Sequence, residues 1–143
     1  MLYGPMTHPQ FLRALAASGH GSKILIGDGN YPHTTGVNPR AELVSLNLAP
    51  GLLTVSQILA VLKDTIPIEK AELMVPEPGQ PEIDIPAHRE YRETLPDVEF
   101  GEIPRFAFYE AARSEDVGIM VASGDQRLYA NILLTVGVRQ PGQ

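Results

Sequence analysis

Apolar residues recur at two spacings along this chain, and the alternation between them sets out its elements. Phe11, Leu12 and Leu15 share one helical face after Thr7-His8-Pro9-Gln10, which resembles a capping box with proline in the first turn, and Gly19 stops the pattern. The short apolar run Lys23-Ile24-Leu25-Ile26-Gly27 then predicts a buried strand that delivers Asp28 to its C-terminal end. Residues Gly29 to Arg40 carry Gly, Asn, Pro and Thr without periodicity and predict a loop, followed by a strand over Ala41 to Leu48. A second capping box, Thr54-Val55-Ser56-Gln57, opens a helix whose face is Ile58, Leu59, Val61 and Leu62 and which ends near Ile66-Pro67.

A strand over Lys70 to Val75 leads into a surface excursion punctuated by Pro76, Pro78, Gly79, Pro81 and Pro86. A charged helix over Ala87 to Leu95, a strand over Val98 to Ile103, a helix over Phe106 to Arg113, and strands over Val117 to Ala122 and Asn131 to Gly137 complete the reading. Strands alternating with helices predict an α/β fold whose sheet is at least partly parallel and covered on both faces. In such sheets ligands sit beyond the carboxyl ends of strands, so the turn after Asp28 is the place to look for a site.

Composition narrows the picture. A chain of 143 residues, 43% of them hydrophobic, fits a single domain over residues 1–143 with a real core. The net charge of −6 and the scattering of its 11 Lys and Arg leave no basic footprint for nucleic acid. Without cysteine there is no disulfide or thiolate metal site. No secretory leader is visible after Met1, and no apolar run nears the roughly 20 residues of a membrane span, so the expected setting is cytoplasmic.

Three stretches gather polar residues beside the apolar runs: Gly19-His20-Gly21, Asp28-Gly29-Asn30-Tyr31-Pro32, and Gly124 through Asn131. Taken singly, each has an ordinary explanation. His20 fits a helix C-terminus, where the dipole favours imidazolium. Asp28 fits an Asx turn, Tyr129 and Asn131 fit strand-edge positions with satisfied polar tips, and Arg105 fits a solvated helix start. His8 and His88 read as a cap and a solvated surface residue. The spacing of His20, Asp28 and His33 matches no standard zinc arrangement, and the chain lacks a dinucleotide fingerprint, a phosphate loop and a nucleophile elbow, so no metal or cofactor is expected.

Taken together these stretches resemble the fucose mutarotase and ribose pyranase family. Gly19-His20-Gly21, an apolar strand and Asp28-Gly29-Asn30-Tyr31-Pro32 look like that family's Gly-His-Gly, strand, Asp-x-x-aromatic-Pro pattern. Tyr129-Ala130-Asn131-Ile132-Leu133-Leu134 with Gly137-Val138 resembles its C-terminal signature, and Arg105-Phe106-Ala107-Phe108-Tyr109-Glu110 is similar to the run of its fucose branch. The likeness extends from about Pro9 to Val138 and departs from the family at Gly29 and at Pro32-His33-Thr34-Thr35. It implies a three-layer α/β/α protomer with a mixed sheet, in a ring-shaped homo-oligomer, commonly a decamer, with active sites near subunit contacts. It further implies His20 as general acid or base assisted by Asp28 or Tyr129, and Asp28, Arg105, Tyr129 and Asn131 as sugar contacts.

The chemistry suits these residue types. Mutarotation opens a hemiacetal and recloses it on the other face of the aldehyde, moving only protons, so a group titrating near neutrality such as His20 is favoured. A neutral pyranose also needs polar side chains for its hydroxyls and an aromatic surface for its apolar face, for which Tyr31, Phe106 or Tyr109 are candidates. The expected function is therefore anomer interconversion of a free sugar such as L-fucose. A ribose pyranase and a non-catalytic sugar-binding accessory protein are the alternatives.

Overall fold

The computed structural model describes all residues, Met1 to Gln143. Its ten elements are α1 (Pro9–Ala17), β1 (Lys23–Gly27), β2 (Glu42–Ser45), α2 (Val55–Leu62), β3 (Ile68–Val75), α3 (Pro86–Thr94), β4 (Glu99–Pro104), α4 (Arg105–Ala112), β5 (Val117–Ala122) and β6 (Ile132–Val136). The six strands form one sheet in the order β2-β5-β1-β6-β3-β4. β2, β5 and β1 run parallel, as do β3 and β4, while β6 lies antiparallel between β1 and β3. This is the α/β fold with a partly parallel sheet that the alternating pattern predicts, in the mixed α/β/α form that the family resemblance implies.

Alternation along the strands divides the core in two. Ile24, Ile26, Ile119, Val121, Ile132 and Leu134 face Phe11, Leu15, Ile58, Leu59, Leu62 and Tyr91 of α1, α2 and α3. Their neighbours Leu25, Met120 and Leu133 face the other way, against Phe108 and Ala112 of α4 and Tyr31 and Val37 of the loop after β1. Both faces are therefore covered, which is why the central strands read as predominantly apolar runs. No helix is long and apolar enough to cross a membrane.

Boundaries differ from the expectation where side chains or turns intervene. The N-cap of α1 is His8 rather than Thr7, with Nδ1 accepting from the Phe11 N–H at 3.2 Å. The Thr54 capping box forms as expected. α2 stops at Leu62 rather than near Ile66, because Pro67 disfavours helical backbone in the residue before it, and a turn closed by Ile66 N–H on Leu62 O follows. β2 ends at Ser45 rather than Leu48: Pro50-Gly51 folds the chain back, with Gly51 at φ +83° and Leu48 N–H donating to Leu52 O. This returning loop packs so tightly on Gly124 that a Cβ there would stand 2.2 Å from Leu52 O and 2.4 Å from Ala49 O.

Candidate functional site

Because β6 runs against its neighbours, its first residues lie at the same end of the sheet as the last residues of β1, β3 and β4. Asp28, Asn131, Met74 and Arg105 consequently meet there, although they come from four segments. The Asp28 backbone N–H donates to Asn131 Oδ1 at 2.7 Å, across the seam between β1 and β6. Asp28 Oδ1 accepts from the Asn30 N–H at 2.9 Å, the Asx turn foreseen for it, and His33 Nε2 donates to the Asp28 carbonyl at 2.8 Å. Burial raises the Asp28 carboxyl above the ordinary carboxylate range against these hydrogen bonds, with the nearby Asp125 charge adding to the rise.

Asp28, Met74, Arg105, Tyr109, Tyr129 and Asn131 line a cleft of about 270 Å³. Arg105 opens α4 directly after β4, with its guanidinium 5.7 and 5.9 Å from the ring centroids of Phe106 and Tyr109. Pro104 offers no side-chain cap to this helix, and Glu77, reaching in from the proline-rich segment, accepts from the Phe106 N–H at 2.9 Å instead. Tyr31 borders the cleft but is itself buried, its hydroxyl donated to Gly36 O. It supports Tyr109, ring centroids 5.5 Å apart, more than it offers a free face. Phe106 is 64% exposed and lies outside the lining, so of the three aromatic candidates Tyr109 is the one that both lines the cleft and keeps some exposure.

Tyr129 has a positive φ of 57°, the only non-glycine residue to do so. Its carbonyl accepts from His88 Nε2 at 2.9 Å, which corrects the reading of His88 as a solvated surface residue: it is half-buried, and burial lowers its pKa. Close by, Arg127 spans Asp125, with Nε to Oδ1 at 3.0 Å and Nη2 to Oδ2 at 2.8 Å, and Glu90, with Nη1 2.9 and 2.8 Å from the two oxygens. A recess of about 380 Å³ adjoins the cleft across Asn30, but its one acid, Asp125, is committed to this network.

His20 does not join the cleft within the chain. It precedes β1 while Asp28 follows it, and five residues at about 3.3 Å each put the two at opposite ends of the sheet, on the order of 16 Å apart. There His20 Nε2 lies 3.1 Å from Glu69 Oε2, both side chains about half exposed. Glu69 was outside the predicted strand and carried no signal in the sequence, since only the pairing of β3 with β6 brings it to His20. His33, His88 and Glu77 were likewise missed as contributors, for they act on backbone groups that sequence spacing does not locate. No group of three or more His, Cys, Asp or Glu side chains is placed to hold a metal ion.

Residues 1–139 match the model of the RbsD / FucU transport protein family. The chain belongs to the RbsD/FucU family. Among solved structures, this family member is similar to the fucose mutarotase of Streptococcus pneumoniae in complex with L-fucose, with a TM-score of 0.83 and 23% identity over 98% of this chain and 100% of that one. RbsD of Bacillus subtilis, complexed with D-ribose, also scores 0.83, at 22% identity over 98% and 99% of the two chains. FucU from Bifidobacterium longum reaches 0.76 at 28% identity over 93% and 95%. The RbsD/FucU fold is thus shared across nearly the whole length of each.

Proposed function

We propose that this RbsD/FucU protein is a cytoplasmic, cofactor-free mutarotase that interconverts the anomers of a free monosaccharide of the L-fucose type. The observation that carries the reading is the convergence of Asp28, Arg105, Tyr129 and Asn131, from distant parts of the sequence, on one cleft. Neighbours of the same fold hold L-fucose and D-ribose, which supports a monosaccharide as the ligand. Arg105 and Asn131 supply directional hydrogen-bonding groups for hydroxyls, and Tyr109 and Met74 the apolar surface. Ring opening removes the anomeric hydroxyl proton and protonates the ring oxygen; closure reverses the roles after rotation about the bond to the aldehyde carbon. Asp28, with its raised pKa, is suited to hold a proton at the sugar, and Tyr129 to donate toward the oxygen where charge develops.

His20 enters this scheme from a second copy of the chain. Its exposed imidazole sits at the opposite end of the sheet from the cleft, so a head-to-tail contact that places one end on the other presents His20 to Asp28, and repetition of that contact closes into a ring. Glu69 accepts from Nε2 and leaves Nδ1 as the proton-accepting nitrogen. The separation also favours a second reading, a sugar-binding accessory protein in which the cleft works alone without turnover.

Anomeric-proton exchange NMR on L-fucose, D-ribose and D-galactose tests both. Acceleration of one sugar by the wild type identifies the substrate class, and preferential action on ribose favours a pyranase. The decisive arm mixes His20→Ala with Tyr129→Phe after dissociation and reassociation. If sites are shared, each variant alone is slow, and random assembly restores about a quarter of the sites. Binding without acceleration by the wild type establishes the accessory protein.

A further inference from the structure

Tyr129 is the one non-glycine residue held in the left-handed region, a conformation that is unfavourable for a tyrosine and persists only where its surroundings enforce it. The enforcement comes from one helix. Two side chains of α3, three positions and hence about one turn apart, grip successive carbonyls of this segment: His88 Nε2 donates to Tyr129 O at 2.9 Å and the Tyr91 hydroxyl donates to Ala130 O at 2.7 Å. Between them Glu90 holds Arg127, fixing the segment just before the left-handed residue. Facing a carbonyl, His88 Nε2 must be the protonated nitrogen.

We propose that His88 is a positioning residue: its hydrogen bond to the Tyr129 carbonyl holds the left-handed turn that directs the Tyr129 ring into the cleft. The assignment of Tyr129 to sugar chemistry rests on the proposed function; the mechanical role of His88 does not. The grip sets which way the Tyr129–Ala130 peptide faces, and that plane decides whether the ring points between Arg105 and Asn131 or swings outward. Burial keeps His88 neutral more readily than a free imidazole, yet either protonation state donates from Nε2, so the grip is a fixed support.

Three variants test this. Glutamine places an amide N–H where Nε2 stands, asparagine places one too short to reach, and leucine fills the space without a donor. In His88→Leu, the Tyr129 ring resonances, assigned by their absence in Tyr129→Phe, should shift, and the anomer exchange rate should fall about 10-fold with circular dichroism unchanged. His88→Gln should return the resonances and bring the rate to within about threefold of wild type, while His88→Asn behaves as leucine does. If His88→Leu does not fold, the glutamine and asparagine pair decides alone. Unmoved Tyr129 resonances in folded His88→Leu or His88→Asn, or glutamine no better than asparagine, would overturn the proposal. Should the wild type accelerate no sugar, the proposed function fails, and the resonances still decide the role of His88.

Discussion

Replacing Arg127 with methionine should destabilise the protein by about 1–4 kcal/mol, a figure that follows from what each of its partners loses. Asp125 has a side chain only 1% exposed, and burial alone would raise its carboxyl; the Arg127 side chain, with backbone N–H donors from Val55 and Arg127, holds it below the ordinary range instead. Methionine removes two charge-assisted bonds from this buried carboxylate while the two backbone donors remain, a loss of about 1–3 kcal/mol. Glu90 is 45% exposed, so water replaces most of what it loses and that half contributes about 1 kcal/mol at most. Because the folded-state pKa of Asp125 is depressed, its contribution is present above the unfolded carboxylate pKa and lost as pH falls through the folded one. Urea melts of the wild type, Arg127→Met, Asp125→Asn and the double variant at pH 7 and pH 4 measure this, and the double variant should cost less than the sum. A loss under 0.5 kcal/mol for Arg127→Met, or strict additivity in the double variant, would refute the reasoning.

Asp28 behaves in the opposite sense. Its folded-state pKa is raised, so stability falls as pH climbs from the unfolded carboxylate value to the folded one and the penalty persists at neutrality; Asp28→Asn, which keeps the acceptor for Asn30, should melt higher than wild type at pH 7, equally at pH 3, and lose about 100-fold or more in exchange. Gly124→Ala drives a Cβ into two backbone oxygens and should cost about 3 kcal/mol or more in urea melts, whereas Gly118→Ala, whose Cβ meets nothing within 4 Å, should change stability by less than about 1 kcal/mol. Under the proposed function Arg105→Ala should weaken sugar binding about 10-fold in titration calorimetry while kcat changes less, since an exposed guanidinium at the cleft would serve ground and transition state alike.

The strands were legible because both faces of the sheet are buried, which turns β1, β5 and β6 into predominantly apolar runs with turn residues near their ends. The same contrast located Asp28 and Asn131 as the polar residues nearest those ends. Their pairing was not legible: the hydrogen bond from Asp28 to Asn131 spans 103 positions and depends on β6 running backwards between β1 and β3, which neither strand's pattern encodes. His88 escaped for a related reason. It sits in a helix that is charged on average, and only the fold shows that its side chain reaches back to a carbonyl 41 positions away. His20 was singled out by motif, yet its distance from the cleft followed from geometry that single-residue reasoning ignores: it precedes β1 and Asp28 follows it, so the length of the strand lies between them.

The place of β6 has a consequence for how the chain folds. Until it is added, β2-β5-β1 and β3-β4 are separate half-sheets, each with an open edge where β6 belongs. β6 follows every other strand in sequence, so during synthesis the seam strand emerges only after the strands it joins, and every pairing it makes spans much of the chain. The nascent protein therefore passes through a stage with two unpaired strand edges, during which insertion of Ile132–Val136 competes with edge-to-edge association.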